Sequence, residues 1–116
     1  MRLLAVAGVV LVVMTGAASA ARPPTLAERT AITNALPAAF RAMPAGCLFL
    51  AMKVSKSGTY AEVDPTFLLR RICIKYASNG YLILHKVKKW RIIWSGSEVP
   101  KCKLHVPRDL VKTCMP

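Results

Sequence analysis

The side chains able to do acid, base or nucleophilic chemistry in the later part of the chain are His85, His105, Ser95, Ser97, Asp64 and Asp109. They do not form a constellation. His105 and Asp109 are four residues apart and could meet on a helical turn, but Pro107 between them opposes a regular helix through both. A surface contact is expected there rather than a catalytic dyad, because an activated nucleophile needs a base held by a third group at a workable spacing. Two histidines so placed also fall short of a metal-ligand motif. No two of Cys47, Cys73, Cys102 and Cys114 stand two to four residues apart, as zinc sites usually require. The residues imply no catalytic group, no metal and no cofactor.

A different chemistry is concentrated at Lys86, Lys88, Lys89 and Arg91, beside Trp90 and Trp94. Cations next to aromatic rings have the composition of an anion-binding edge with stacking groups. The same residues also suit an ordinary hairpin tip, where lysines discourage edge pairing and tryptophans on a strand face belong to the core.

The stretch from Cys73 to Cys102 must position this cluster. Tyr76-Ala77-Ser78-Asn79-Gly80 ends in an Asn-Gly step, which supplies the positive φ angles of a tight turn. Tyr81 to His85 and Trp90 to Trp94 are β-prone runs separated by Lys86-Val87-Lys88-Lys89, and they read as a hairpin. With Val87-Lys88 as a two-residue tip, Tyr81 faces Trp94, Ile83 faces Ile92 and His85 faces Trp90 on one face. Leu82 with Ile93, and Leu84 with Arg91, then occupy the other.

Upstream, Ala21 to Pro24 reads as an extended leader and Thr25 as the start of the domain. Thr25-Leu26-Ala27-Glu28 fits a capping box. Ile32, Leu36, Phe40 and Met43 recur at helical spacing, with Pro37 predicting a kink or the first turn of a second helix. Cys47 to Val54 reads as a strand, Ser55 to Gly58 as its turn and Thr59 to Val63 as its partner, stopped by Asp64-Pro65. Phe67 to Lys75 is read as extended, and Pro107 as opening a short helical turn over Arg108 to Thr113.

Met1-Arg2, the apolar run Leu3 to Met14 and the small residues ending Ala18-Ser19-Ala20 have the three regions of a secretory signal peptide. The apolar run of about 12 residues is short of the roughly 20 that span a bilayer. The expected organisation is a signal peptide over 1–20, a leader over 21–24 and a single domain over 25–116, with the mature chain secreted and extracellular. All four cysteines fall after the signal, so two disulfides are expected in so small a secreted domain. Three connectivities are possible; Cys47–Cys73 with Cys102–Cys114 is favoured, because the second pair closes a short terminal loop. The formal net charge is +12, and only Arg2 of the basic residues leaves with the signal. Such a charge attracts the chain to anionic surfaces such as membrane head groups, cell-wall polyanions or nucleic acid.

Taken in order, Tyr76-Ala77-Ser78-Asn79-Gly80, Trp90-Arg91-Ile92-Ile93, Gly96-Ser97, Pro100-Lys101-Cys102 and Val106-Pro107-Arg108-Asp109-Leu110 resemble small secreted proteins of actinobacteria that lack an assigned activity. The resemblance implies an extracytoplasmic bacterial protein and carries no catalytic residues across. The expected fold is α+β: an N-terminal helix packed on an antiparallel sheet of about four strands, with a short C-terminal helical turn and disulfide reinforcement. That order of elements looks like the cystatin or nuclear-transport-factor-like arrangement, although the cystatin motif Gln-x-Val-x-Gly is missing. The functional expectation is a non-enzymatic basic domain that meets anionic envelope components at Lys86, Lys88, Lys89 and Arg91, with no specific nucleic acid and no transmembrane span. The alternative is a small isomerase or hydrolase with Asp64 or His85 in a pocket of the sheet.

Overall fold

The computed structural model describes residues 20–44, 46–68, 71, 73 and 80–116. The signal peptide expected over 1–20, apart from Ala20, and the turn expected at Tyr76–Gly80, apart from Gly80, therefore lie outside the described residues. Four strands form one antiparallel sheet in sequence order: β1 (Leu48–Val54), β2 (Tyr60–Phe67), β3 (Tyr81–Lys86) and β4 (Trp90–Gly96). Two helices precede it, α1 (Leu26–Asn34) and α2 (Ala38–Arg41), and a short 3-10 turn over Cys102–Leu104 follows. With two disulfides, this is an α+β architecture. Among the described residues no helix is long and apolar enough to cross a membrane.

Thr25 starts α1 in the reciprocal way its spacing to Glu28 predicts. The Glu28 backbone N–H donates to Thr25 Oγ1 at 3.1 Å, and the Thr25 N–H donates to Glu28 Oε1 at 2.9 Å. A nine-residue helix is marginal on its own. Ile32 and, just beyond the helix, Leu36 join it to Met52, Val54, Ala61, Val63, Leu82, Leu84 and Trp90 in one buried cluster on a single face of the sheet. Pro37 begins a second helix, as the N-cap of α2.

Several local expectations are corrected. Asp64-Pro65 does not stop β2, which continues to Phe67 with Pro65 opposite Leu50. Beyond Val63 the register of β2 continues with β1 alone, so the missing proline N–H interrupts no continued ladder with β3. Phe67 belongs to β2, and Arg71 and Cys73 lie in turns, so Phe67–Lys75 is not one extended run; Leu69, Arg70, Ile72, Ile74 and Lys75 lie outside the described residues. The helical turn near the C-terminus is at Cys102–Leu104. Pro107 does open a turn, its carbonyl accepting from Leu110 N at 3.1 Å and Val111 N at 3.2 Å, but the turn is single and does not run on to Thr113.

The hairpin register also differs. Lys86 pairs with Trp90, leaving a three-residue tip of Val87, Lys88 and Lys89; His85 faces Arg91, Leu84 faces Ile92, and Ile83 faces Trp94. Ile93 is the extra residue of a β-bulge. Trp90 and Ile92 therefore join the helix-side core while Trp94 falls on the opposite face. At the far end, a Cβ on Gly80 would lie 2.9 Å from the Gly96 backbone, and Gly80 has φ +116°, so only glycine fits this close approach.

The leader is part of the fold. Arg22 forms an antiparallel bridge with Val54, its N–H donating at 2.9 Å and its carbonyl accepting at 2.7 Å. Its guanidinium grips both Glu28 oxygens, at 2.7 and 2.9 Å. That grip, opposed by burial and assisted by the Thr25 N–H, holds the Glu28 carboxyl at about 2, below its ordinary 4.5. The linked stability is present above the unfolded value and is lost as pH falls from about 4.5 towards 2. The Arg22 side chain is 41% exposed, so solvent screens the pair and its contribution to stability is small. Acid titration of thermal stability should accordingly be shallower through this window in Glu28→Gln than in the parent.

Candidate functional site: the cationic hairpin end

In an antiparallel meander, the β1–β2 turn and the β3–β4 tip fall at the same end of the sheet. The Lys86 N–H donates to Thr59 O at 2.8 Å and joins the two. Ser55 builds the first turn: its N–H donates to Tyr60 O at 2.8 Å, its carbonyl accepts from Gly58 N at 2.9 Å, and its buried side chain lies 2.7 Å from Ser57 Oγ.

The four cations do not lie on one flat strip. Lys86 belongs to the helix side of the hairpin, opposite buried Trp90, and with Lys88 and Lys89 it borders a cleft of about 460 Å³ closed by Ala31 and Asn34 of α1. Arg91 is on the other face, beside His85. All four side chains are exposed, and Val87 at the tip is 77% exposed between them. Trp90 is too buried to offer a stacking surface, and Trp94 sits on the far side of the bulge. The aromatic half of the expected anion-binding edge is thus not assembled.

The chain's carboxylates are placed elsewhere or occupied. Glu28 is held by Arg22, and Glu62 lies 3.2 Å from Lys53 Nζ. Asp109 accepts from the Lys56 backbone N–H at 2.6 Å. Asp64 pairs in register with Ala51 towards the opposite end, where the Glu98 carbonyl accepts from Tyr81 Oη at 2.7 Å. Burial, then the Glu62 charge, raises the Tyr81 phenol, against an opposing contact with Trp94. Among the described residues, neither ion pair includes a hairpin cation. The result is a cationic end with no free carboxylate in its own turns.

Sequence reasoning missed two contributors. Lys56 is exposed in the β1–β2 turn, and the Asp109 bond brings exposed Arg108 to the same end. The meander order is a signal that could have found Lys56, since alternate turns share an end. Nothing local points to Arg108, because Asp109 and Lys56 are brought together only by the path of the C-terminal segment.

The candidate acids, bases and nucleophiles remain apart. His85 stacks on Tyr60, ring centroids 4.2 Å apart and 12° from parallel. Asp64 is exposed, as are Ser97 and His105. Ser95 borders a cleft of about 250 Å³ whose walls include Phe40, Pro65 and Tyr81 but no histidine or carboxylate. Asp109 gives its carboxylate to Lys56 rather than to His105. No group of three histidine, cysteine, aspartate or glutamate side chains among the described residues could hold a metal ion.

The chain matches no protein-family model, no curated protein and no solved structure.

Proposed function

We propose that this protein is a secreted, non-enzymatic basic domain that attaches to anionic components of the cell envelope through Lys86, Lys88, Lys89 and Arg91. The observation that carries the reading is the segregation of charge: four exposed cations crowd one hairpin, while Glu28 and Glu62 pair with Arg22 and Lys53 and Asp109 is bonded to the Lys56 N–H of the neighbouring turn. Two disulfides and the absence, among the described residues, of a helix able to span a membrane are compatible with an extracellular location.

Exposed cations act over a Debye length of about 8 Å at physiological ionic strength, so binding of this kind weakens as salt rises. The test is retention of the mature protein on isolated cell envelope at low and high salt. Each cation near an anionic surface contributes about 1 kcal/mol. Replacing all four by serine should therefore lower retention at low salt by at least about a hundredfold. Retention insensitive both to salt and to the four substitutions would refute the electrostatic mechanism.

A further inference from the structure

We infer that the hairpin end docks, tip first, on the surface of an anionic lipid bilayer, with Val87 entering the interface and Lys86, Lys88, Lys89 and Arg91 meeting the headgroups. This rests on the electrostatic reading above and selects lipid over wall polymer. Val87 is 77% exposed in a tip flanked by lysines, which sets an apolar side chain foremost at the cationic end. The other exposed large apolar side chains among the described residues differ: Leu26 is two residues from Glu28 at the start of α1, and Phe49 lies opposite Thr66 towards the far end of the sheet.

The distribution of the cations supplies the second argument. Lys86 belongs to the helix side, Arg91 to the opposite face, and Lys88 and Lys89 to the tip between them. A polymer lying in one groove would engage cations from one face at a time. A plane approached end-on engages both faces together, and long lysine stems can lower their methylenes towards the acyl boundary while their ammonium groups stay with phosphate. Lys56 and Arg108, at the same end, widen the footprint, and the Asp109 carboxylate that comes with them is turned to the Lys56 N–H.

Vesicle co-sedimentation distinguishes this docking from simple charge attraction. The mature chain should partition onto vesicles of phosphatidylglycerol and phosphatidylcholine and should leave pure phosphatidylcholine vesicles unoccupied. Val87→Ser, at an exposed tip where the fold is not at stake, should weaken vesicle binding between about threefold and tenfold. The same variant should bind soluble poly(glycerol phosphate) as the parent does, whereas Lys88→Ser with Lys89→Ser should weaken both, by about fivefold per cation on the vesicle. Parent-like vesicle binding by Val87→Ser overturns the docking and leaves the electrostatic reading standing. Binding to the polymer without binding to the vesicles also overturns it, and makes wall polymer the partner. Retention on neither at low salt refutes the proposed function itself.

Discussion

Replacing both Cys47 and Cys73 by alanine should destabilise the domain by about 3.5 kcal/mol or more, the chain-entropy value for the loop they close. Their separation in sequence is 26 residues, against 12 for Cys102 and Cys114. Loop length alone separates the two bridges by less than about 1 kcal/mol. Burial decides between them. Cys47 and Cys73 are 1% and 0% exposed, whereas Cys102 and Cys114 are both exposed. Loss of the first pair removes packed sulfur from the interior as well as the cross-link, and it frees the β2–β3 connection from the start of β1. Loss of the second leaves its segment tied by the Cys102 N–H to Met115 O at 2.7 Å, the Met115 N–H to Pro100 O at 2.8 Å, and the Asp109 contact with Lys56. Denaturant unfolding of the two double-alanine variants should therefore rank Cys47/Cys73 well below Cys102/Cys114. Limited reduction followed by alkylation and peptide mapping should label Cys102 and Cys114 first. Equal labelling of both pairs would contradict the burial argument.

Leu84→Ala should cost about 3 kcal/mol and lower the melting temperature by roughly 15 °C. Leu84 is fully buried in β3, between Ala61 of β2 and Ile92 of β4, within the cluster that includes Ile32 and Trp90. A small domain has stability of only about 5–15 kcal/mol, so this one truncation removes a large share of it. The fixed backbones of two flanking strands limit collapse into the space, which places the cost in the middle of the range for such truncations rather than at its lower end. Val87→Ala, on the same hairpin but 77% exposed, should stay within about 0.5 kcal/mol of the parent. A thermal shift below about 4 °C for Leu84→Ala would mean that the helix-side core does not carry the stability of the sheet.

The contrast between these two leucine- and valine-bearing positions, three residues apart, shows which parts of the molecule are local. Thr25 and Glu28 determine a helix start by themselves, since both halves of the reciprocal cap lie within four residues. Lys88 and Lys89, charged and between β-prone runs, determine that a hairpin tip falls there. Four cysteines after a secretory pattern determine that bridges form, while their pairing depends on which strand ends meet. The apolar run after Gly46 determines a strand, Leu48–Val54, because seven residues bounded by turn formers have no room for an independent helix.

Tertiary structure decided the rest. Ile92 and Ile93 are chemically equivalent, so no local signal says which is the bulged residue; the choice sends Trp94 to the face opposite Trp90. Pro65 reads as a strand breaker in sequence and is tolerated in β2 because the ladder with β3 has ended at Val63. Ala21 to Pro24 reads as an extended leader ahead of the domain, yet the unpaired edge of β1 at Val54 supplies hydrogen bonds that capture Arg22. The charge of the chain is written in its composition, but its concentration at one end is a consequence of topology. The antiparallel order brings the β1–β2 turn beside the β3–β4 tip, and the return of the C-terminal segment to Lys56 brings Arg108 to them, contacts between residues tens of positions apart that only the folded chain can make.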